Sequence, residues 1–153
     1  MNNAVKFIEG RLLAESFFLY TAFAPVQANT RDQERQKEVP AQILVKVGIS
    51  TVPMNRIVAV HMNSPFRVAY AAFTPLLCAK RKAEKTESAI LMHFRQYRTR
   101  GEWLLMPNTK ESKEEFAYRS RIIIARDTGR PVEWRRVSAD ELVRYALKLP
   151  EAA

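Results

Sequence analysis

One cysteine, Cys78, is present among the 153 residues of the chain. A single cysteine forms no internal disulfide, which fits a reducing compartment and excludes a cysteine-ligated metal site. No apolar run reaches the ~20 residues of a membrane span, because the best candidate, residues 17–26, is too short. Residues 1–16 lack the basic start, apolar core and small-residue cleavage site of an export signal. We therefore expect a cytoplasmic protein without a membrane partner.

Positive charge is in excess. The chain has 25 Lys and Arg residues against 16 Asp and Glu residues, which gives a net charge of +9 and a pI near 10.0. This balance is typical of proteins that bind a polyanion, and nucleic acid is the first candidate. The alternative is that the charge only aids solubility. With 47% hydrophobic and 27% charged residues, the chain is expected to fold as one globular domain with its own core.

Apolar runs between turn signals predict both strands and helices. Strands are expected at residues 17–23, 43–49 and 66–73. Helices are expected at residues 53–62, 79–97, 110–126 and 142–149, the last behind a capping box of Ser138 and Glu141. Short extended segments are expected at residues 101–107 and 132–137. The order predicts an α+β fold, in which a small three-stranded antiparallel sheet is flanked by helices, with extra C-terminal helices.

The chain is expected to divide near residue 107. Residues 1–107 would form the domain that holds the sheet, with a long loop over residues 24–42 that has mixed charge and no apolar periodicity. The strands on either side of this loop can pair as a hairpin. Residues 108–153 would form a helical extension packed on the same domain.

Glu87 lies on the apolar stripe of the long helix, between Ala83 and Leu91. An acid among apolar side chains needs a partner, because burying an unpaired charge is costly. One explanation is an ion pair with Lys80 or Arg56 at the rim of the core. The other is a bound divalent cation, since hard cations often take only one or two protein carboxylates and complete their coordination with water. The sequence leaves both explanations open.

Several short motifs follow one another in a distinctive order. They are FLY with Tyr20, VKVGIS with Lys46 and Gly48, Arg56, NSP at residues 63–65, Glu87, and RGEW with Trp103. Arg56 lies eight residues after Gly48, and Glu87 lies sixteen residues before Trp103. In this order the motifs resemble those of the GIY-YIG nuclease superfamily, in a branch common in phages and bacteria. The resemblance covers residues 18–103, a little over half of the chain.

The resemblance implies a GIY-YIG-like fold and a metal-dependent endonuclease that hydrolyses phosphodiester bonds in DNA, with a role in phage or defence biology. Glu87 would hold one Mg²⁺ or Mn²⁺ ion. Arg56 would bind the scissile phosphate with its planar guanidinium. Tyr20 would orient or deprotonate the attacking water, and Lys46 would favour its phenolate. Gly48 would allow a tight turn that brings the backbone close to the substrate. When each residue is taken alone, core packing explains Tyr20 and an ordinary turn explains Gly48 better than catalysis does, and only their occurrence together favours the catalytic roles.

Two departures from the family pattern bear on catalysis. Leu91 stands where the branch often has a histidine, and His93 would point about 200° around the helix from it. The loop at residues 24–42 is also longer than the usual connection, so it could gate the site or bind a partner. Asn108 is the candidate for the late asparagine of the family.

Basic residues flank the long helix and could bind the phosphates of the substrate. They are Lys80, Arg81, Lys82, Arg98 and Arg100. Such contacts add salt dependence without sequence preference. The alternative is that they form an ordinary solvated helix surface.

Two other functions stay open. One is a nucleic-acid-binding protein that keeps the fold without turnover, which Leu91 favours. The other is an inhibitor that binds another protein through the loop at residues 24–42 or the C-terminal helices. A protein partner or a homodimer is compatible with all three functions.

Overall fold

The computed structural model describes residues 16–26 and 41–148. The strands in these residues are β1 (Phe18–Pro25), β2 (Gln42–Ser50), β3 (Tyr70–Pro75), β4 (Trp103–Pro107) and β5 (Arg135–Ser138). The helices are α1 (Pro53–Asn63), α2 (Lys80–His93), α3 (Lys110–Thr128) and α4 (Ala139–Lys148), and a 3-10 turn (Arg95–Tyr97) follows α2. All five strands join one antiparallel sheet in the order β4-β2-β1-β3-β5. The predicted α+β class and antiparallel sheet are confirmed.

Helices cover both faces of the sheet, because side chains of the central strand β1 alternate between them. Leu19 packs in one apolar cluster with residues of α2 and α3. Tyr20, its neighbour in the chain, packs in a second cluster with Ile57 of α1 and Leu142 of α4. We call these two sides the α2/α3 face and the α1/α4 face. Consecutive residues of β1 therefore serve different layers of the molecule.

The sheet is larger than the three strands predicted from the sequence. The extended segment that contains Trp103 pairs with β2 as an edge strand, with Trp103 opposite Lys46. At the other edge β5 pairs with β3, so that Val137 lies opposite Ala71. These edge strands have five and four residues, too few for a clear alternation of apolar and polar positions. Their pairing partners lie far away in the sequence, which a local pattern cannot reveal.

Two elements are shorter or later than predicted. The strand expected at residues 66–73 occupies Tyr70–Pro75, because the residues before it bond to other groups. The backbone N–H of Phe66 donates to the Ser64 hydroxyl (3.2 Å) and that of Val68 donates to Nδ1 of His61 (3.2 Å). The long helix ends at His93 rather than residue 97. The residues predicted as its last turn, Arg95–Tyr97, form the 3-10 turn instead.

Other boundaries agree more closely with the sequence. α1 begins at Pro53 as predicted, and Ser138 and Glu141 form the expected capping box, in which the Glu141 N–H donates to the Ser138 hydroxyl (3.2 Å). Of the predicted loop at residues 24–42, Ala24, Pro25 and Gln42 belong to strands, and residues 27–40 lie outside the described residues. Residue 149 also lies outside them. In the described ranges, no helix has both the length and the apolar character needed to cross a membrane.

Candidate active site

Tyr20 and Gly48 face each other across the β1–β2 pair. Tyr20 is only 1% exposed. A Cβ atom added to Gly48 would overlap Cζ and Oη of the tyrosine ring. Gly48 lies inside β2 rather than at the tight turn expected from the sequence. The glycine is therefore needed because the tyrosine ring occupies the space of a side chain at position 48.

Arg56 reaches the same place from the first turns of α1. Its side chain is exposed, and its guanidinium lies close enough to the Tyr20 hydroxyl to lower the pKa of that phenol. A cleft of about 240 Å³ opens beside Arg56. Its other lining residues include Lys46, Trp103 and the NSP motif at residues 63–65.

Lys46 is bound to a residue that the sequence analysis did not assign to the site. Its Nζ lies 2.6 Å from Oε2 of Glu102, and only 12% of the lysine side chain is exposed. The ammonium also lies 5.8 Å from the ring centroid of Trp103. Glu102 directly precedes Trp103, and its carbonyl oxygen accepts the Val47 N–H (3.1 Å). The RGEW motif contains this glutamate, but only the pairing of β4 with β2 reveals its contact with Lys46.

Glu87 approaches the site from α2, on a buried position of the helix that is 9% exposed. Burial, and next the charge of Glu102, raise the pKa of its carboxyl to about 7. Lys46 and Arg98 act in the opposite direction and Glu84 adds to the increase. The expected ion pair with Lys80 or Arg56 is not formed among the described residues.

The carboxylate of Glu87 also makes no hydrogen bond within the described part of the chain. No fully buried side-chain oxygen or nitrogen there lacks a partner. The Glu87 oxygens must therefore still reach solvent. A carboxylate that is mostly buried, without a protein partner and open to water is suited to bind a cation.

The environment of Tyr20 determines its protonation. Burial has the largest effect on the phenol and raises its pKa, whereas Arg56 lowers it, and the net result of all the surroundings is a raised pKa. The charges of Glu102 and Glu87 raise it further. Lys46, which was expected to favour the phenolate, is instead paired with Glu102. Tyr20 is therefore a neutral phenol at neutral pH, able to orient a water molecule but poorly suited to deprotonate one.

The carboxylates of the site that could contact a metal ion are Glu87 and Glu102, the second of which already pairs with Lys46 through Oε2. In residues 16–26 and 41–148 there is no group of three or more His, Cys, Asp or Glu side chains that could hold a metal. Mg²⁺ and Mn²⁺ do not require such a group, because they commonly keep several water ligands and bind one or two carboxylates. The donor set of two carboxylates fits a hard divalent cation, because it offers oxygen atoms as ligands.

Three other residues considered from the sequence, Leu91, His93 and Asn108, do not contribute to the site. Leu91 is a core residue of α2, 2% exposed, and His93 is exposed on another side, so neither brings an imidazole to the site. Asn108 follows the end of β4 that lies beside Gln42, roughly 16 Å along the strand from Trp103. It is therefore not part of this cluster.

The predicted phosphate-binding residues are all exposed and lie at both ends of α2. Lys80, Arg81 and Lys82 form its first turn. Arg98 follows its C-terminal end, and its Nε donates to the Gly101 carbonyl (2.9 Å). Arg100 lies in the turn before β4. Because Glu87 lies between these two groups in the helix, cations flank the candidate site along α2.

Comparisons of this chain with family models, with curated proteins and with solved structures found no match.

Proposed function

We propose that this protein is a metal-dependent endonuclease of the GIY-YIG type that cleaves phosphodiester bonds in DNA. One observation carries the proposal: four residues that are far apart in the sequence act on one another electrostatically in the fold. Lys46 and Arg56 line the same cleft. Arg56 and Glu87 both lie close enough to Tyr20 to act on the pKa of its phenol, and Lys46 acts in the same way on the carboxyl of Glu87. These are the side chains that the motif order singles out.

Each of the four residues has a role that its environment supports. Glu87, with Glu102 beside it, would hold Mg²⁺ or Mn²⁺, which when bound stabilises negative charge on the phosphate. Arg56 is exposed at the cleft and would bind a nonbridging phosphate oxygen. Tyr20 would orient the attacking water as a neutral phenol. Lys46 would hold Glu102 in place through their ion pair.

Substrate binding would use the cations at the two ends of α2. Lys80, Arg81 and Lys82 at one end and Arg98 and Arg100 at the other would each contact a phosphate of the DNA backbone. Contacts of this kind position a duplex without reading its bases. The net charge of +9 supports a polyanionic substrate in the same way.

A second candidate function is DNA binding without turnover. The buried position of Leu91 favours it, because the core occupies the place where a histidine often assists in this family. The other histidine, His61, accepts the Val68 N–H through Nδ1 and packs beside the start of β3. No imidazole of the described residues is therefore placed in the cleft to protonate a leaving oxygen.

A plasmid-nicking assay separates the two functions. Supercoiled DNA is incubated with wild type, Glu87→Gln and Arg56→Ala, in Mg²⁺, in Mn²⁺ and in chelator. Matched controls are Glu111→Gln, an exposed acid of α3, and Arg67→Ala, an exposed arginine before β3. The nuclease requires metal-dependent nicking that both site variants reduce by about 100-fold or more and both controls retain. Absence of nicking by wild type, with DNA binding kept in all five proteins, supports the binding protein.

A further inference from the structure

A second cavity, of about 410 Å³, lies on the α2/α3 face, on the opposite side of the sheet from Tyr20. Its floor crosses three strands, where Thr21 pairs with Ala72 and Ala72 with Arg136. The short side chains of Thr21 and Ala72 leave room beneath α3. We call this cavity the aromatic pocket, after the residues of its walls. They are Phe23, Tyr70, Phe116 and Trp134.

Four aromatic side chains form the walls, of which Phe23 and Phe116 are buried and Tyr70 and Trp134 remain partly exposed. The rings of Phe23 and Tyr70 are stacked, with centroids 4.5 Å apart and an interplanar angle of 15°. Phe116 meets Phe23 edge to face, with centroids 5.8 Å apart. Trp134 is partly exposed beside them. Stacked and edge-on rings of this kind favour a planar aromatic ligand, because such a ring can continue the same packing.

A buried hydroxyl opens into the pocket. Thr21 is 2% exposed, and its side chain makes no hydrogen bond within the described residues. Every fully buried side-chain oxygen of the described residues has a hydrogen-bond partner, so the unbonded Thr21 hydroxyl is not fully buried. Because Thr21 lines the cavity, its hydroxyl is open to the cavity. It can donate one hydrogen bond and accept others. The Tyr70 phenol is a second polar group, and burial raises its pKa, which keeps it protonated.

The rim of the pocket carries uncompensated positive charge. The guanidinium of Arg136 lies 5.2 Å from the Tyr70 ring centroid, and neither Arg136 nor Lys113 has an ion-pair partner in the described ranges. Lys110 differs, because its Nζ lies 3.8 Å from Glu114. Two free cations beside an apolar cavity would attract a ligand with an anionic group.

We propose that the aromatic pocket binds a single nucleotide. The base stacks on the aromatic wall, the Thr21 hydroxyl bonds to a polar edge of the base or to the sugar, and the phosphate binds Lys113 and Arg136. The volume lies within the range of small-molecule sites, about 300–1,000 Å³. Both a free mononucleotide and the end of a single strand present this chemistry. The inference is independent of the proposed nuclease site, because no residue that lines the pocket is one of the proposed nuclease residues.

Isothermal titration of the full chain tests the proposal with three kinds of probe. These are the four nucleoside monophosphates, a short single-stranded oligonucleotide, and ribose 5-phosphate as a phosphate without a base. Ala117→Phe narrows the pocket from an exposed position of α3, so that it need not disturb the core. Lys113→Ala/Arg136→Ala removes the free cations. Arg121→Ala, on α3 but outside the pocket, is the matched control.

The expected result is saturable one-to-one binding of at least one mononucleotide. Ala117→Phe and the double variant should each weaken it by about tenfold or more, whereas Arg121→Ala and Glu87→Gln should not change it. The same pattern with the oligonucleotide alone would assign the pocket to a strand end. No saturable binding, equal affinity for ribose 5-phosphate, or equal affinity of all variants would overturn the proposal. Retention of binding in Glu87→Gln keeps this result separate from the outcome of the nicking assay.

Discussion

Burial and charge oppose each other at Glu87. The carboxyl lies at a buried position of α2, yet its oxygens still reach solvent, and Glu102 is close enough to raise its pKa. A pKa of about 7 means that both protonation states are populated at neutral pH. The protonated form favours the packed core, whereas a divalent cation requires the carboxylate. The protonation of this one side chain therefore links stability to metal binding.

The pH dependence of stability follows from this pKa. Because the folded-state pKa of Glu87 is raised from 4.5 to about 7, its contribution to stability is fully present below pH 4.5 and is lost as the pH rises through 7. Glu87→Gln has no ionisable carboxyl at this position, so its stability does not fall with pH for this reason. We expect the variant to match wild type near pH 4.5 and to exceed it at pH 8 by on the order of 1–2 kcal/mol, an amount reduced because the oxygens reach solvent. Urea unfolding at several pH values measures the difference, and a constant difference across this range would contradict it.

Metal binding by Glu87 can be measured without activity. At pH 8, where the carboxylate is ionised, millimolar Mn²⁺ should raise the unfolding temperature of wild type by a few degrees, because a ligand of the folded state stabilises it. Glu87→Gln should lose the increase, and Glu111→Gln should retain it. At pH 5.5 the increase should shrink in wild type, since protons compete for the same oxygens. An equal increase in wild type and Glu87→Gln would locate the metal elsewhere.

Gly48 and Tyr20 form a close-packed pair that can be tested by a double-mutant cycle. Gly48→Ala places a methyl group where the tyrosine ring lies, so we expect a loss of about 1–3 kcal/mol in the free energy of unfolding. In a Tyr20→Leu background, with a smaller side chain, the same change should cost less. Equal costs in the two backgrounds would show that strand propensity, not the tyrosine ring, disfavours alanine at position 48.

β4 brings two parts of the candidate site together. Its pairing with β2 places Trp103 beside Lys46 and thereby gives Lys46 its carboxylate partner, Glu102. α1 supplies Arg56 from the α1/α4 face, and α2 supplies Glu87 from the other side of the sheet. The site therefore depends on the packing of three elements, β4, α1 and α2, on the central strands of one sheet. A substitution in an element far from the cleft should therefore lower the free energy of unfolding without altering the geometry of the site.

A capping box holds the start of α4. The Ser138 hydroxyl accepts the Glu141 N–H at its start, and the Glu141 carboxylate accepts the Ser138 N–H (3.4 Å). Ser138→Ala removes one half of this capping box and should lower the free energy of unfolding by about 1 kcal/mol. Ser138→Asp, which can also cap a helix, should recover most of the loss. The nicking activity of both variants should equal that of wild type, because Ser138 lies at the β5 edge.

Local patterns predicted the central elements because each has a strong signal of its own. β1 is rich in aromatic and apolar residues, and Pro53 marks the start of α1. The edge strands were underestimated, since short segments gain their structure from a partner strand far away in sequence. The same limit explains Glu102, whose neighbour Lys46 lies 56 residues earlier. Glu87 was predicted as a buried acid from helical spacing alone, but its lack of an ion pair required the fold.

The positive charge of the molecule is spread over several helices, and the cations at the start of α2 are the ones proposed to contact DNA. If these cations contact DNA, the triple variant Lys80→Ala/Arg81→Ala/Lys82→Ala should bind DNA more weakly. The salt slope of its binding, d log K/d log[salt], should be smaller in magnitude by roughly 2–3, because each lost phosphate contact removes about one unit. Arg119→Ala/Arg121→Ala on α3 should leave the slope nearly unchanged, although it also lowers the net charge. Fluorescence anisotropy with a labelled duplex between 50 and 300 mM salt, about the range in which such slopes are measured, gives both values. Slopes that fall in proportion to net charge in both variants would show that the whole surface, rather than α2, attracts the DNA.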